Sequence, residues 1–169
     1  KYYGYASWNR LGFRAADIDS AVLQNAFRLE NLNTYQNLNW KENLGKGWKS
    51  TAGISFSTNK DDIENELQDA NDAKVPVLVP DGYAYKNFTL ASRAQYAQAR
   101  IVLEKRLKGL NTIRLGAEHF YSNEKSTYTL YNGDQYTNTI KDNLSAAFAE
   151  TDFYITKDIA AKLGTRAEY

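Results

Sequence analysis

Apolar and polar residues alternate along this chain with a period of two. From Ile113 the odd positions carry Ile113, Leu115, Ala117, His119 and Tyr121, with Arg114, Gly116, Glu118 and Phe120 between them. Successive side chains of a strand point to opposite faces, so the pattern describes a strand between unlike media. Upstream, Ala97, Ala99, Ile101 and Leu103 alternate with Gln98, Arg100, Val102 and Glu104. Lys105–Asn111 between the two runs reads as a short polar turn, with Gly109 where φ > 0 is needed. The two runs predict a long antiparallel hairpin. A helix competes over Ala91–Leu107, which is rich in good helix formers. The recurrence of the same hairpin grammar along the chain decides for the strand.

Taken in order, Lys1–Phe13 predicts a strand, with Tyr3, Tyr5, Ser7 and Asn9 on one face and Tyr2, Gly4, Ala6 and Trp8 on the other. Arg14–Ala26 is irregular, with room for a short helix. Phe27–Lys41 reads as a strand, Glu42–Gly47 as a tight turn, and Trp48–Ser57 as the cleanest alternation in the chain. Asn59–Asn87 reads as a long connection holding Pro76 and Pro80. Its acidic first half, with Ile63 and Leu67 at helical spacing, predicts a surface helix. The acidic residues there lack the glycine and ligand spacing of a calcium loop, so no metal is expected. Ser122–Asp142 is Tyr- and Asn-rich and turns at Asn132-Gly133-Asp134. Asn143–Ile155, where a helix is also locally possible, pairs through a Thr156-Lys157-Asp158 turn with Ala161–Tyr169.

Short turns near positions 45, 108 and 158 thus alternate strictly with long connections near 20, 75 and 132. An outer-membrane barrel keeps short turns on its periplasmic side and long loops outside. The expected fold class is all-β: an antiparallel transmembrane β-barrel segment of about seven tilted strands of some 9–15 residues. Residues 1–169 would all belong to that one barrel domain.

Composition sharpens this picture in four respects. The 13 Tyr, 7 Phe and 3 Trp, with few long apolar runs, suit aromatic girdles, and a soluble β-sandwich equally. Trp40 and Trp48 flank the turn near 45 as interfacial anchors would, or as two core residues would. With 21 Lys+Arg against 20 Asp+Glu there is no basic footprint for nucleic acid. The absence of Cys removes disulfides and thiolate metal sites. No apolar run approaches the roughly 20 residues of a membrane-spanning helix. Both ends fall inside patterned segments, so the chain is expected to be a piece of a longer one.

Asn143–Tyr169 (NLSAAFAETDFYITKDIAAKLGTRAEY) resembles a barrel hairpin of TonB-dependent outer-membrane receptors, with an FAE-like stretch, a turn and a KLGTRAEY-like strand. EKRLKGLNTIRLGAEHFYS and NWKENLGKGWKSTAGISFSTNKDDI resemble two further hairpins of such barrels, and the likeness spans most of Leu32–Tyr169. The resemblance implies a barrel of about 22 strands closed by a plug, of which this chain would supply about a third. No plug-like domain and no energy-coupling box is recognisable in it. The implied function is energised uptake of a scarce solute of the siderophore, cofactor or glycan class. The implied location is the outer membrane of a Gram-negative-type cell. Implied partners are outer-membrane lipid, the plug of the same full-length protein, a TonB-type energy-coupling protein and further outer-membrane subunits.

In a barrel, one face would meet the lumen: Arg100, Glu104, Arg114, Glu118, Glu150, Asp152, Lys162, Arg166 and Glu168. These could pair across strands, hold a plug, or only stabilise the wall. Ligand selection would fall to loop aromatics Tyr83, Tyr85, Tyr128, Tyr131 and Tyr136, which serve equally as an outer girdle. Enzyme readings are poor. His119 is the single histidine and no partner for it is visible in the sequence. There is no nucleophile elbow and no phosphate loop, and Glu150 with Asp152 is the one carboxylate pair of glycosidase type. No cofactor is expected. Two alternatives stand beside the importer: a barrel subunit of a larger outer-membrane assembly, and a soluble β-rich binding or adhesion module.

Overall fold

A computed structural model describes residues 1–75, 83–156 and 158–169. Its strands are β1 (Tyr2–Ala16), β2 (Gln24–Gly45), β3 (Trp48–Gln68), β4 (Phe88–Arg106), β5 (Thr112–Leu130), β6 (Gln135–Tyr154) and β7 (Ala160–Glu168). They form one seven-stranded sheet in chain order. Every neighbouring pair is antiparallel. The sheet is not closed: β1 and β7 each keep one free edge. The fold is therefore all-β, and Ala91–Arg106 is extended despite its helix propensity. Among the described residues the only helical element is a 3₁₀ turn at Ala84–Lys86.

Several expectations are corrected. No surface helix follows Asn59, because β3 runs unbroken for 21 residues to Gln68. No short helix lies in 14–26; β1 continues through Ala16 and the chain reverses at 17–23. β2 continues through Gly45, so the predicted turn at Glu42–Gly47 shrinks to Lys46-Gly47. There Gly45, Lys46 and Gly47 take φ of 84°, 50° and 78°, a run that glycine permits. Gly109 has φ 73°, as its turn required. The connection near 132 is short, residues 131–134, so short and long connections do not alternate strictly. Only 69–87 is long. The strands exceed the expected length: β2 spans 22 residues and β6 spans 20. Pro76, Pro80 and Lys157 lie outside the described residues.

The sheet has a turn end (46–47, 107–111, 155–156 and 158–159) and a loop end (17–23, 69–75 and 83–87, 131–134). It also has a Leu115 face and an Arg114 face, and these exchange character along the strands. Near the turn end, the Leu115 face is apolar: Trp48, Ala52, Ile54 and Phe56 on β3 adjoin Ile101, Ala99 and Ala97 on β4, then Ala117, His119 and Tyr121 on β5. Near the loop end the same face is charged, with pairs Arg10–Glu30 and Arg28–Glu64 and the trio Lys60–Asp62–Arg93. The Arg114 face does the reverse. Its turn-end half is polar and charged. Its loop-end half carries an apolar row in direct register, Leu11, Leu29, Ile63, Leu90 and Tyr128, beside a stacked Phe13–Phe27 pair at 5.1 Å.

The small core follows from that row. Leu23 and Val75 close over Leu67, which is 1% exposed, with Tyr83 packed against them. Elsewhere the sheet is a single layer. The chain exposes 11897 Å², where a compact monomer of this mass exposes about 8,400 Å².

Candidate functional site

The register of β4–β7 determines which charged residues meet. Glu104, Arg114 and Glu150 lie directly across from one another, as do Arg100 and Glu118, and Asp152 and Lys162. All nine charged residues singled out from the sequence share the Arg114 face, in two clusters. In the first, Arg114 reaches Glu104 at 2.9 Å, Asp152 at 2.7 Å and Glu150 at 4.0 Å, and Lys162 reaches Glu150 at 3.1 Å. In the second, Glu118 is ion-paired with Arg100 at 3.7 Å and with Arg166 at 2.5 Å, and Arg166 also holds Glu168. Phe148 sits between the clusters, with the Arg100 guanidinium 5.2 Å from its ring centre. Its ring occupies the space that a Cβ on Gly116 would need. Glu150 and Asp152 are both held in ion pairs, with Arg114 and, for Glu150, with Lys162.

The other half of this face, over β1–β3, is mostly amide and tyrosine, with Lys41, Lys49 and Asp61 as its charged residues. Asn31 donates to Asn59 at 2.9 Å and to Asp61, Asn33 donates to Asn31, and Asn59 donates to Asp61 at 2.6 Å. Tyr3, Tyr5 and Tyr35 form a triangle with centroids 5.8–6.2 Å apart. Asn37 donates to the Tyr35 hydroxyl at 2.9 Å. Neither the amide network nor the position of Phe148 was read from the sequence. The recurrence of Asn31, Asn33, Asn37 and Asn39 at even spacing on β2 was the signal for the first.

The five tyrosines expected in loops are not one group, and two of them, Tyr128 and Tyr136, lie within β5 and β6. Tyr83 donates its hydroxyl to the Asp19 carbonyl at 2.9 Å and lies under Lys86 at 5.3 Å, so it is part of a clamp. Tyr128 stacks on Phe88 at 5.2 Å and faces Tyr136 directly across β5 and β6. Tyr85, Tyr131 and Tyr136 are 57%, 41% and 62% exposed. Trp40 and Trp48 occupy the Leu115 face near the turn end, and Lys105 lies 5.0 Å over the Trp48 ring.

The clamp itself was missed, because its partners are 69 residues apart in sequence. Lys86 donates to both carboxylate oxygens of Asp17, at 2.7 and 2.6 Å, and to Asp19 at 2.6 Å. Burial pushes the Asp17 carboxyl up, but Lys86, the Asp19 N–H and the Asn25 amide outweigh it and hold the group below the usual carboxylate range. Desolvation lowers Lys86, yet the two carboxylates hold it above the ordinary lysine range. Asn87 accepts from the Leu67 N–H at 2.8 Å, and Asn65 donates to the Lys86 carbonyl at 2.6 Å. Both connections are thereby fastened over the loop-end half of the Arg114 face.

His119 does have a neighbour: its Nδ1 lies 2.9 Å from Ser145 Oγ across the strand pair. No carboxylate orients that imidazole, since Glu118 projects to the opposite face. Among the described residues no His, Asp or Glu cluster could hold a metal ion. No helix among the described residues is long and apolar enough to cross a membrane, which says nothing of a β-barrel. A comparison with protein-family models finds no match, and a comparison with curated proteins finds none either.

Proposed function

We propose that this chain is part of the wall of an outer-membrane β-barrel, of the kind that TonB-dependent receptors use for energised import. One observation carries the reading: the two faces exchange polarity half-way along the strands. On β3 the apolar stretch Trp48–Phe56 covers eight residue steps, about 26 Å of strand at 3.3 Å per residue. Beyond it the same face is charged, as strand protruding past a hydrocarbon band would be. The bare edges of β1 and β7 would be paired by further strands, because unpaired backbone groups in hydrocarbon cost several kcal/mol each. A soluble module accounts less well for an apolar face on which nothing among the described residues packs.

The ion-paired wall and the amide- and tyrosine-rich wall would then line the lumen, and the Asp17–Lys86 clamp would lie at its mouth. A plugged lumen does not conduct by diffusion, so solute would move only when work is delivered to the plug. The test is solute uptake by cells carrying the full-length gene, with and without a protonophore. Uptake abolished by the protonophore is expected. Fast uptake indifferent to it would mean an open pore and overturn the importer reading. No uptake, with stable co-purification of other outer-membrane proteins, would leave the assembly subunit.

A further inference from the structure

Two rows of side chains border the apolar band of the Leu115 face on its loop-end side. Thr58, Gln95, Asn123 and Lys141 are directly paired across β3–β6, and the next row is Lys60, Arg93, Lys125 and Thr139. Lys60, Arg93 and Lys125 are therefore consecutive cross-strand neighbours. Like charges placed directly opposite destabilise a sheet unless a counter-charge is present. Asp62 supplies one, 3.3 Å from Lys60 and 2.5 Å from Arg93. Lys125 and Lys141 are exposed and have no carboxylate partner among the described residues. Glu124 and Asp142, their sequence neighbours, project to the other face, where Glu124 accepts from the Tyr96 hydroxyl at 2.7 Å. Asp62 thus serves Lys60 and Arg93, while Lys125 and Lys141 have no carboxylate partner among the described residues. One row below them the face is Phe56, Ala97 and Tyr121, with Asn143 beside them on β6.

Positive charge left uncompensated along the rim of an apolar band is complementary to an anionic headgroup joined to acyl chains. We propose that Lys60, Arg93, Lys125 and Lys141 form a headgroup site for a phosphorylated lipid of the outer leaflet, whose chains lie on the apolar band below. The inference rests on the membrane reading above. A multiply phosphorylated headgroup fits best, because the cations are spread over four strands. The site is also remote from the lumen-side charges on Arg114, Glu118 and Arg166, so the two can be perturbed separately.

The experiment uses the full-length protein reconstituted in phosphatidylcholine vesicles doped with lipid A, with insertion scored first by protease protection. Native mass spectrometry then counts the lipid A that co-purifies. The wild type should retain it, and Lys125→Gln with Lys141→Gln should weaken retention on the order of five-fold per lysine removed. Lys162→Gln, on the other face, should change nothing, and dephosphorylated lipid A should be retained as poorly as lipid A is by the double variant. Equal retention by wild type and double variant, with both inserted, would overturn the site and leave the barrel standing. Displacement of lipid A by inorganic phosphate alone would assign the cations to a soluble anion and also overturn it. Failure of the wild type to insert at all would remove the membrane reading and this site with it.

Discussion

The two ends of this sheet use the same strands to opposite effect. At the turn end, the Leu115 face is bare and apolar while the Arg114 face is dense with ion pairs and amides. At the loop end, the Leu115 face carries charge and the Arg114 face gathers Leu11, Leu29, Ile63, Leu67 and Leu90 beneath two fastened connections. The loop-end half resembles an ordinary water-soluble protein, with a small core under loops and charge outside. The turn-end half is inverted. A single pleat can do this because side-chain direction has period two whatever the chemistry, so composition alone decides which face is dry.

The strongest way to break the contrast is to place charge on the dry face. In the barrel reading Leu115→Arg should weaken insertion of the full-length protein by about 2–4 kcal/mol if Leu115 lies near the bilayer midplane. Urea-titrated folding into vesicles measures this, and an unchanged midpoint would contradict it. Truncating the loop-end core should be comparable but local. Leu67→Ala should cost about 2–3 kcal/mol, at the low end for a buried leucine because this core is small. Hydrogen exchange should show the loss at 17–23 and 83–87, with β5 and β6 near the turn end unaffected.

This contrast was partly legible in the sequence. The turn-end half was read correctly as strands because its alternation pits Ile and Leu against Arg and Glu. The loop-end half was harder for two physical reasons. Ile63 and Leu67 are four apart, a spacing that shares a face in both a helix and a strand, so the acidic run around them read as a helix. The alternation of Lys60, Asp62, Glu64 and Glu66 with Asp61, Ile63, Asn65 and Leu67 was the better signal. Across Ser122–Asp142 both faces are polar, so hydropathy has no period to show. The strands there are held by the backbone ladder and by hydroxyl pairs such as Ser92–Ser126 at 3.2 Å and Thr127–Thr137 at 3.1 Å. The nine charged residues were legible as one face, because parity alone assigns it. Their partners were not, since those depend on register.

Smaller perturbations sharpen the comparison within the Arg114 face. Gly116→Val should displace Phe148 and the Arg100 guanidinium stacked on it, at about 1–3 kcal/mol of overpacking. Gly116→Ser should cost less, and equal effects would show that Phe148 swings aside freely. In the barrel reading Arg114→Leu should insert normally, since its side chain would face away from lipid. It should nonetheless loosen the wall by about 1 kcal/mol by leaving Glu104 and Asp152 without their shared cation. Equal insertion defects for Leu115→Arg and Arg114→Leu would mean the strand register is wrong by one residue.

The clamp gives a pH dependence. Asp17 is held below the ordinary carboxylate value, so its contribution is fully present above the unfolded value of about 3.9 and is lost as pH falls through the lower folded value. Exchange protection of the Asp19 and Leu23 amides should therefore persist at pH 5 and fade only below about pH 4. Lys86→Gln should abolish that protection at neutral pH. Loss between pH 5 and 7 in the wild type would contradict the assignment.

The inversion at the turn end is tested most directly by scanning β5 with single cysteines, because these 169 residues contain none and any elsewhere in the full-length protein can first be changed to serine. Each position from 112 to 130 in the full-length protein would carry a fluorophore, in vesicles containing a nitroxide-labelled lipid. The account predicts strong quenching at 113, 115, 117, 119 and 121, weak quenching at the even positions between, and no alternation beyond 125. Uniformly weak quenching along the whole strand, or alternation continuing undiminished to 130, would contradict it.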